Sequence, residues 1–248
     1  MSGAECEEEV DPTEDEEEDE ETVIGLGSYK GKVRMVRGDP SDEMMLLWGL
    51  QQPTFSKPNA FVAQSSLNLS LDACGRCLSI SQSPSSLGVP GVTGSVMWDS
   101  GIVLGKFLEN AVETGLLVLQ GKKVVELGAG CGLVGCIAAL LGSELMSLHG
   151  EIMLTQHWWN LLPDFVIGSD VIYSEEAVTD LLDTLLELSG TQTTIILAGE
   201  LRNDAILEYF MEVAMEDFII GRVDQEGWHP DYRSPRVAMY VMVKKSMP

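Results

Sequence analysis

From Val124 to Leu133 the chain reads Val-Val-Glu-Leu-Gly-Ala-Gly-Cys-Gly-Leu, an apolar stretch that ends in an acid and breaks into alternate glycines. A short apolar run, followed at once by glycines and then by the apolar residues 133–141, fits a buried strand, a tight loop and a helix. That order opens a nucleotide-binding α/β unit. So tight a loop needs positive φ or a close backbone approach, both of which a Cβ obstructs, and the helix behind it offers unpaired N–H groups. A purely structural turn is the alternative reading of the same glycines.

The spacing and the acid separate two ligand chemistries. Counted from Gly128, the dinucleotide pattern G-x-G-x-x-G needs a glycine at 133, where the chain has Leu133. Glu126, just ahead of the loop, repels a pyrophosphate but can accept hydrogen bonds from the amino group of a cationic ligand such as S-adenosylmethionine. A methyl donor suits the loop better than NAD.

Residues 163–176, Pro-Asp-Phe-Val-Ile-Gly-Ser-Asp-Val-Ile-Tyr-Ser-Glu-Glu, form a second buried strand by pattern, with Asp170 and Tyr173 at its carboxyl end. Open α/β sheets bind ligands at that end. Together with Trp98-Asp99-Ser100-Gly101 upstream, these segments resemble the seven-stranded, S-adenosylmethionine-dependent methyltransferases of the protein-lysine type, which carry an Asp-x-x-Tyr motif after the fourth strand. The resemblance covers about residues 78–245 and keeps the three motifs in the family's order. It implies a Rossmann-like α/β fold with a seven-stranded sheet and an antiparallel C-terminal pair. It implies S-adenosylmethionine as cofactor and a protein lysine as acceptor. It also implies that Asp170 and Tyr173 orient the amine, and that Trp98, Glu126, Gly128, Ala129, Gly130, Gly132 and Ser169 surround the cofactor. Each has a plainer reading. Asp170 could cap the helix that starts near Glu175, Tyr173 could be a rim aromatic, and Trp98 could be core.

The stretch between the two motifs is too short. A doubly wound sheet needs a further strand and crossover there, and each βαβ unit takes about 30 residues or more. Residues 142–162 hold at most one strand, at 151–155, followed by His157-Trp158-Trp159-Asn160. If 151–155 is the family's second strand, the acid that holds the ribose hydroxyls is replaced by Gln156, a neutral amide and a weaker partner. The resemblance therefore implies a shortened form lacking an internal piece of the sheet. A catalytically inactive scaffold and a small-molecule methyltransferase of the same fold stay open as alternatives.

Elsewhere, Leu67-Asn68-Leu69-Ser70-Leu71 and Leu78-Ser79-Ile80-Ser81-Gln82 alternate apolar and polar around Cys74-Gly75-Arg76-Cys77, a β-hairpin by pattern. Ile102, Val103, Leu104, Phe107 and Leu108 have helical spacing, in a helix expected to cap the cofactor end of the sheet. Residues 177–188 and 204–215 read as helices; 193–198, 218–223 and 237–243 read as strands, the last two as the antiparallel pair. The chain divides into three units: a disordered acidic tail (1–22), a partly ordered extension (23–66) and the methyltransferase domain (67–248).

Composition bounds the partners. Of 39 acidic residues, 13 lie between Glu5 and Glu21, so much of the net charge of −24 belongs to a self-repelling tail. That balance argues against nucleic acid as substrate. No basic-then-apolar leader and no bilayer-length apolar run is expected, and five cysteines fit a reducing cytoplasmic or nuclear compartment. Cys131 and Cys136 read as buried fillers. One C-x-x-C and histidines at 149, 157 and 229 make no metal site.

Overall fold

A computed structural model describes residues 22–50, 59–87, 94–148 and 162–246. In chain order the elements are β1(Thr22–Leu26), β2(Tyr29–Met35), α1(Pro40–Leu50), β3(Asn68–Ala73), β4(Arg76–Ser81), α2(Asp99–Glu113), β5(Lys123–Leu127) and α3(Leu133–Leu140). They continue with β6(Glu144–Leu148), β7(Phe165–Ser169), α4(Glu175–Leu188), β8(Thr194–Glu200), α5(Asp204–Asp217), β9(Phe218–Arg222) and β10(Val237–Lys244).

Eight strands form one sheet in the order β1-β2-β9-β10-β8-β7-β5-β6, and β3 and β4 form a separate hairpin. β5 runs parallel to both β6 and β7, and β7 runs parallel to β8. β10 is antiparallel to β8 and to β9, as the reading of a terminal antiparallel pair requires. The central strands are apolar on both sides because both faces are covered. Along β8, Ile195 and Leu197 enter one core with α4 and α5, whereas Ile196 and Ala198 enter the other, with Leu104, Phe107 and Leu108 of α2. The strand period of two thus divides one run between two cores.

The helix starts reflect local chemistry. Asp39 accepts from Ser41 N at 2.9 Å ahead of Pro40, and Ser174 and Asn203 accept from Ala177 N and Ile206 N to start α4 and α5. In the β3–β4 hairpin, Cys74 and Gly75 both have positive φ, 52° and 69°, between the paired residues Ala73 and Arg76. This is the two-residue turn whose twist matches that of the strands.

Several expectations need correction. The strand alongside β5 forms at Glu144–Leu148, earlier than the one expected, pairing Lys123 with Glu144 through to Leu127 with Leu148. Its polar residues Glu144 and Ser147 are not fully buried, which suits an edge strand and hid it from a search for a buried apolar run. Residues 151–155 lie outside the described residues, and so does Gln156. Helix α2 lies across a sheet face instead of capping the sheet end. Every residue from Asp99 to Glu109 is buried, so only its first turn reaches the carboxyl ends of the strands. The stretch treated as an extension supplies β1, β2 and α1. β2 pairs with β9 through Arg34 and Met35, and Arg222 donates from Nη1 to both Glu43 oxygens at 3.0 Å, tying α1 to the sheet. Cys136 is exposed and fills no core, whereas Cys131 is half-buried and packs against the cluster that holds Ile102, Leu133 and Ile137.

Candidate active site

The glycine loop joins β5 to α3, with Gly128, Gly130 and Gly132 all left-handed at φ of 61°, 50° and 78°. A Cβ on Gly128 would lie 2.9 Å from Val171 Cγ1, so the loop touches the residue next to Asp170. On its other side, a Cβ on Gly94 would lie 2.7 Å from Gly130 Cα, and Cys131 Sγ donates to Gly94 O at 3.5 Å. Within the loop Gly132 N donates to Ala129 O at 2.7 Å. Gly132 then begins α3 with no side chain of its own to cap it, and the helix's third N–H, that of Gly135, is taken by Glu126.

Glu126 is buried at 2 % exposure, and its oxygens accept from Gly135 N at 3.0 Å and Ser147 Oγ at 2.8 Å. It therefore ties β5 to α3 and β6. Gly135 is what lets it do so, since a Cβ there would fall on a Glu126 oxygen. Gly135 also changes the motif argument: Gly130-Cys131-Gly132-Leu133-Val134-Gly135 satisfies G-x-G-x-x-G one register later. Leu133 is thus no bar to a dinucleotide, and the choice of ligand rests on other grounds.

At the end of β7 stands Asp170, a non-glycine residue with φ of 56°. Asp tolerates this region better than most residues, yet strained φ/ψ costs about 1–3 kcal/mol and persists only where neighbours enforce it. Here its N–H donates to Ala198 O at 2.8 Å, its Oδ1 accepts from Glu200 N at 2.9 Å and its Oδ2 accepts from Arg202 Nη2 at 2.7 Å. It caps no helix, because Ser174 fills that place. Ser169 ends β7 against the first turn of α2, its Oγ 3.5 Å from where a Cβ on Gly101 would stand.

Trp98 immediately precedes α2, and the Arg202 guanidinium lies 3.9 Å from its ring centre. Next to it Asp99, fully buried, accepts from the backbone N–H groups of Ala60, Phe61 and Val62, while its own N–H donates to Glu200 Oε1 at 3.0 Å. Arg236 donates to Glu200 Oε2 at 3.1 Å and to Asn59 Oδ1 at 3.0 Å. Burial pushes the Glu200 carboxyl above the usual carboxylate range and the Asp170 charge adds to this, with Arg202 and Arg236 pulling the other way. Tyr173 is 54 % exposed at the rim of a pocket of about 150 Å³, which Ile172, Arg202, Asn203, Asp204 and Tyr240 also line.

The fold thus brings together the loop glycines, Ala129, Ser169, Asp170 and Trp98, with Tyr173 at the rim and Glu126 beneath. The sequence reading missed Glu200, Arg202, Arg236, Gly94 and Gly135. A signal for the first two was present: Glu200-Leu201-Arg202 comes after the buried run Ile195-Ile196-Leu197-Ala198 at a carboxyl end, the same position that singled out Asp170.

The sequence profile described as lysine methyltransferase matches this chain in two segments, residues 78–157 and 148–216. The chain is 36 % identical over 152 residues to a protein N-lysine methyltransferase METTL21A of Xenopus tropicalis, covering 50 % of this chain and 67 % of the relative. It is 31 % identical over 203 residues to METTL21A of Danio rerio, covering 70 % of this chain and 84 % of the relative. It is 32 % identical over 164 residues to EEF1A lysine methyltransferase 3 of Mus musculus, covering 55 % and 67 %. Half of 248 residues is 124, against an aligned length of 152, so the frog relative has about 28 residues within the aligned region that this chain lacks. Among solved structures, a TehB-like SAM-dependent methyltransferase from Corynebacterium glutamicum is similar at a TM-score of 0.39 and 13 % identity, covering 57 % of this chain and 88 % of that one.

Proposed function

We propose, because this chain belongs to the lysine methyltransferase family, that it moves a methyl group from S-adenosylmethionine to a protein lysine at the carboxyl ends of β5, β7 and β8. One observation carries the placement: the family match spans both the glycine loop and the Asp170–Tyr173 segment, and the fold sets Gly128 against Val171, directly beside Asp170. A net charge of −24 disfavours a phosphate backbone as acceptor, and four unpaired cysteines among the described residues favour a reducing cytoplasmic or nuclear setting. Among the described residues no helix is long and apolar enough to cross a membrane.

The loop suits this donor. Three left-handed glycines make a turn that side chains would strain, and the first two N–H groups of α3, those of Leu133 and Val134, lie ahead of Gly135 N, which Glu126 takes. Gly128, Ala129, Gly130 and Gly132 would line the donor, Trp98 and Ser169 would flank it, and Glu126 would hold the loop in shape. When bound, S-adenosylmethionine supplies a methyl on a cationic sulfur; the acceptor nitrogen's lone pair forms the new N–C bond as the C–S pair returns to sulfur. The protein's task is then mainly alignment. The ammonium must first shed a proton, and Asp170 is the carboxylate assigned to hold and aim the amine. A carboxylate has about four lone-pair sites, so acceptor N–H groups can bind it beside the Glu200 N–H that it already accepts. Tyr173 stands at the mouth, where it can orient the amine and exclude water.

The chain is a shortened form of this enzyme. The two profile segments overlap on residues 148–157, within the stretch 142–162 that is too short for a second crossover, and the frog relative carries extra sequence within the aligned region. The shortening falls on the donor side, beyond β6.

Calorimetric titration with S-adenosylmethionine tests the reading. The unsubstituted chain binds, and Gly130→Val does not, because a branched side chain at φ of 50° is strained and intrudes on the loop. Unchanged affinity in the variant would remove the donor from this loop.

A further inference from the structure

The ends of β7 and β8 carry a charge cluster with one odd member. Asp99, Asp170 and Glu200 face Arg202 and Arg236. Arg236 is committed: it is 7 % exposed, bonded to Glu200 and Asn59, and 3.6 Å from Asp99. Arg202 differs, since its side chain is 35 % exposed while those of Asp170 and Glu200 are 9 % and 1 % exposed. It enters from solvent, lays its guanidinium on the Trp98 ring and reaches Asp170 Oδ2 at 2.7 Å and Glu200 Oε2 at 3.4 Å. Two buried carboxylates and an aromatic face constitute a cage for a cation.

The occupant has somewhere else to go. Arg202 also lines the 150 Å³ pocket, where Asp204 offers another carboxylate next to Asn203 and Tyr173. A guanidinium on a long, solvent-reached side chain can swing there without unfolding anything.

We propose that Arg202 is a resident cation, occupying the amine cage of Trp98, Asp170 and Glu200 in the acceptor-free chain and ceding it to the incoming amine. This rests on the reading of the β7 and β8 ends as the transfer site. Without an occupant, the buried acids would be left short of a counter-charge, a state that destabilises proteins strongly. With Arg202 in place the cage stays paired until another cation arrives, and a neutral group cannot take over the ion pairs. The exchange therefore selects for a basic acceptor, and the guanidinium competes with it.

Two ligands read this out by calorimetry at mildly alkaline pH: S-adenosylhomocysteine, uncharged at sulfur, and sinefungin, which carries a charged amine where the donor carries its methyl. Removing the guanidinium leaves the cage a cation short. Affinity for sinefungin relative to S-adenosylhomocysteine then rises at least about tenfold in Arg202→Ala and Arg202→Gln, and stays within about threefold of the original in Arg202→Lys. The Gln variant reads the same ratio should the Ala variant fail to fold. A ratio that is unchanged or lower in the neutral variants, with S-adenosylhomocysteine still bound, overturns the proposal alone. Failure of the unsubstituted chain to bind either ligand overturns the site placement and the proposal with it.

Discussion

The two ends of the parallel sheet are built to different standards. Around β7 and β8, helices cover both faces, the strands are buried almost throughout, and the charged cluster at their carboxyl ends is paired group by group. At the other end β6 pairs with β5 alone among the described residues, and neither Glu144, Leu145, Met146 nor Ser147 is fully buried. The difference teaches where the chain can lose sequence. Among the described residues, the ends of β7 and β8 are held by contacts among β7, β8, β10, α2 and α5, outside the short segment after β6.

The largest contrast should appear in core truncations. Phe165→Ala, at a fully buried position of β7, should destabilise by about 3–5 kcal/mol, whereas Met146→Ala, on half-buried β6, should cost about 1 kcal/mol or less. Urea midpoints of the two variants decide it, and equal losses would mean the edge is as well packed as the centre.

Arg222 tests the built half through its charges. It is 1 % exposed, with Nη1 on Glu43 and Nε on Asp224 at 3.1 Å, and Tyr240 donates to Glu43 at 3.2 Å. Arg222→Met strands the Glu43 carboxylate in the core, for a loss of about 3–5 kcal/mol. Adding Glu43→Leu should recover most of it, and a double variant as unstable as the single would show that packing rather than charge holds α1 in place.

The same contrast marks how far the fold was legible in the sequence. The glycine loop, the Asp170 strand and helices α4 and α5 were readable because each obeys one strong period or carries one punctuating residue type. Edge strand β6 was not, because its register comes from pairing with β5 and its apolar pattern is weak. The hairpin β1–β2 and helix α1 were also obscured: they are short, partly exposed and joined to the sheet by partners nearly 180 residues away, as Glu43 is to Arg222. Glu200 and Arg202 stood at a readable carboxyl end, but their pairing with Asp170 was not legible, since a side-chain network across strand ends leaves no spacing in the chain. The G-x-G-x-x-G test failed in the opposite way, on a choice of first glycine.

A smaller effect is expected where the two regions join at the amino ends of β5 and β7. Burial opposes ionisation of Asp164, but hydrogen bonds from Lys122 Nζ and Lys123 N, each 2.9 Å, with the lysine charges, hold its carboxyl below the usual range. A lowered folded-state pKa adds stability that is present above the ordinary carboxylate value and is lost as pH falls through the lowered one. The pair is well exposed, so the contribution is about 1 kcal/mol or less. Asp164→Asn should flatten that acid limb of the stability curve and leave the neutral plateau nearly level with it; an unchanged limb would assign the acid sensitivity elsewhere.

Side-by-side calorimetry of S-adenosylmethionine binding to this chain and to the frog relative tests most directly whether sequence missing after β6 weakens the proposed donor side while the acceptor side stays intact. Saturable binding is expected for both, at least about tenfold weaker here, because the frog relative has about 28 residues within the aligned region that this chain lacks. Equal affinities would contradict it, showing that the residues after β6 rebuild the donor wall in full.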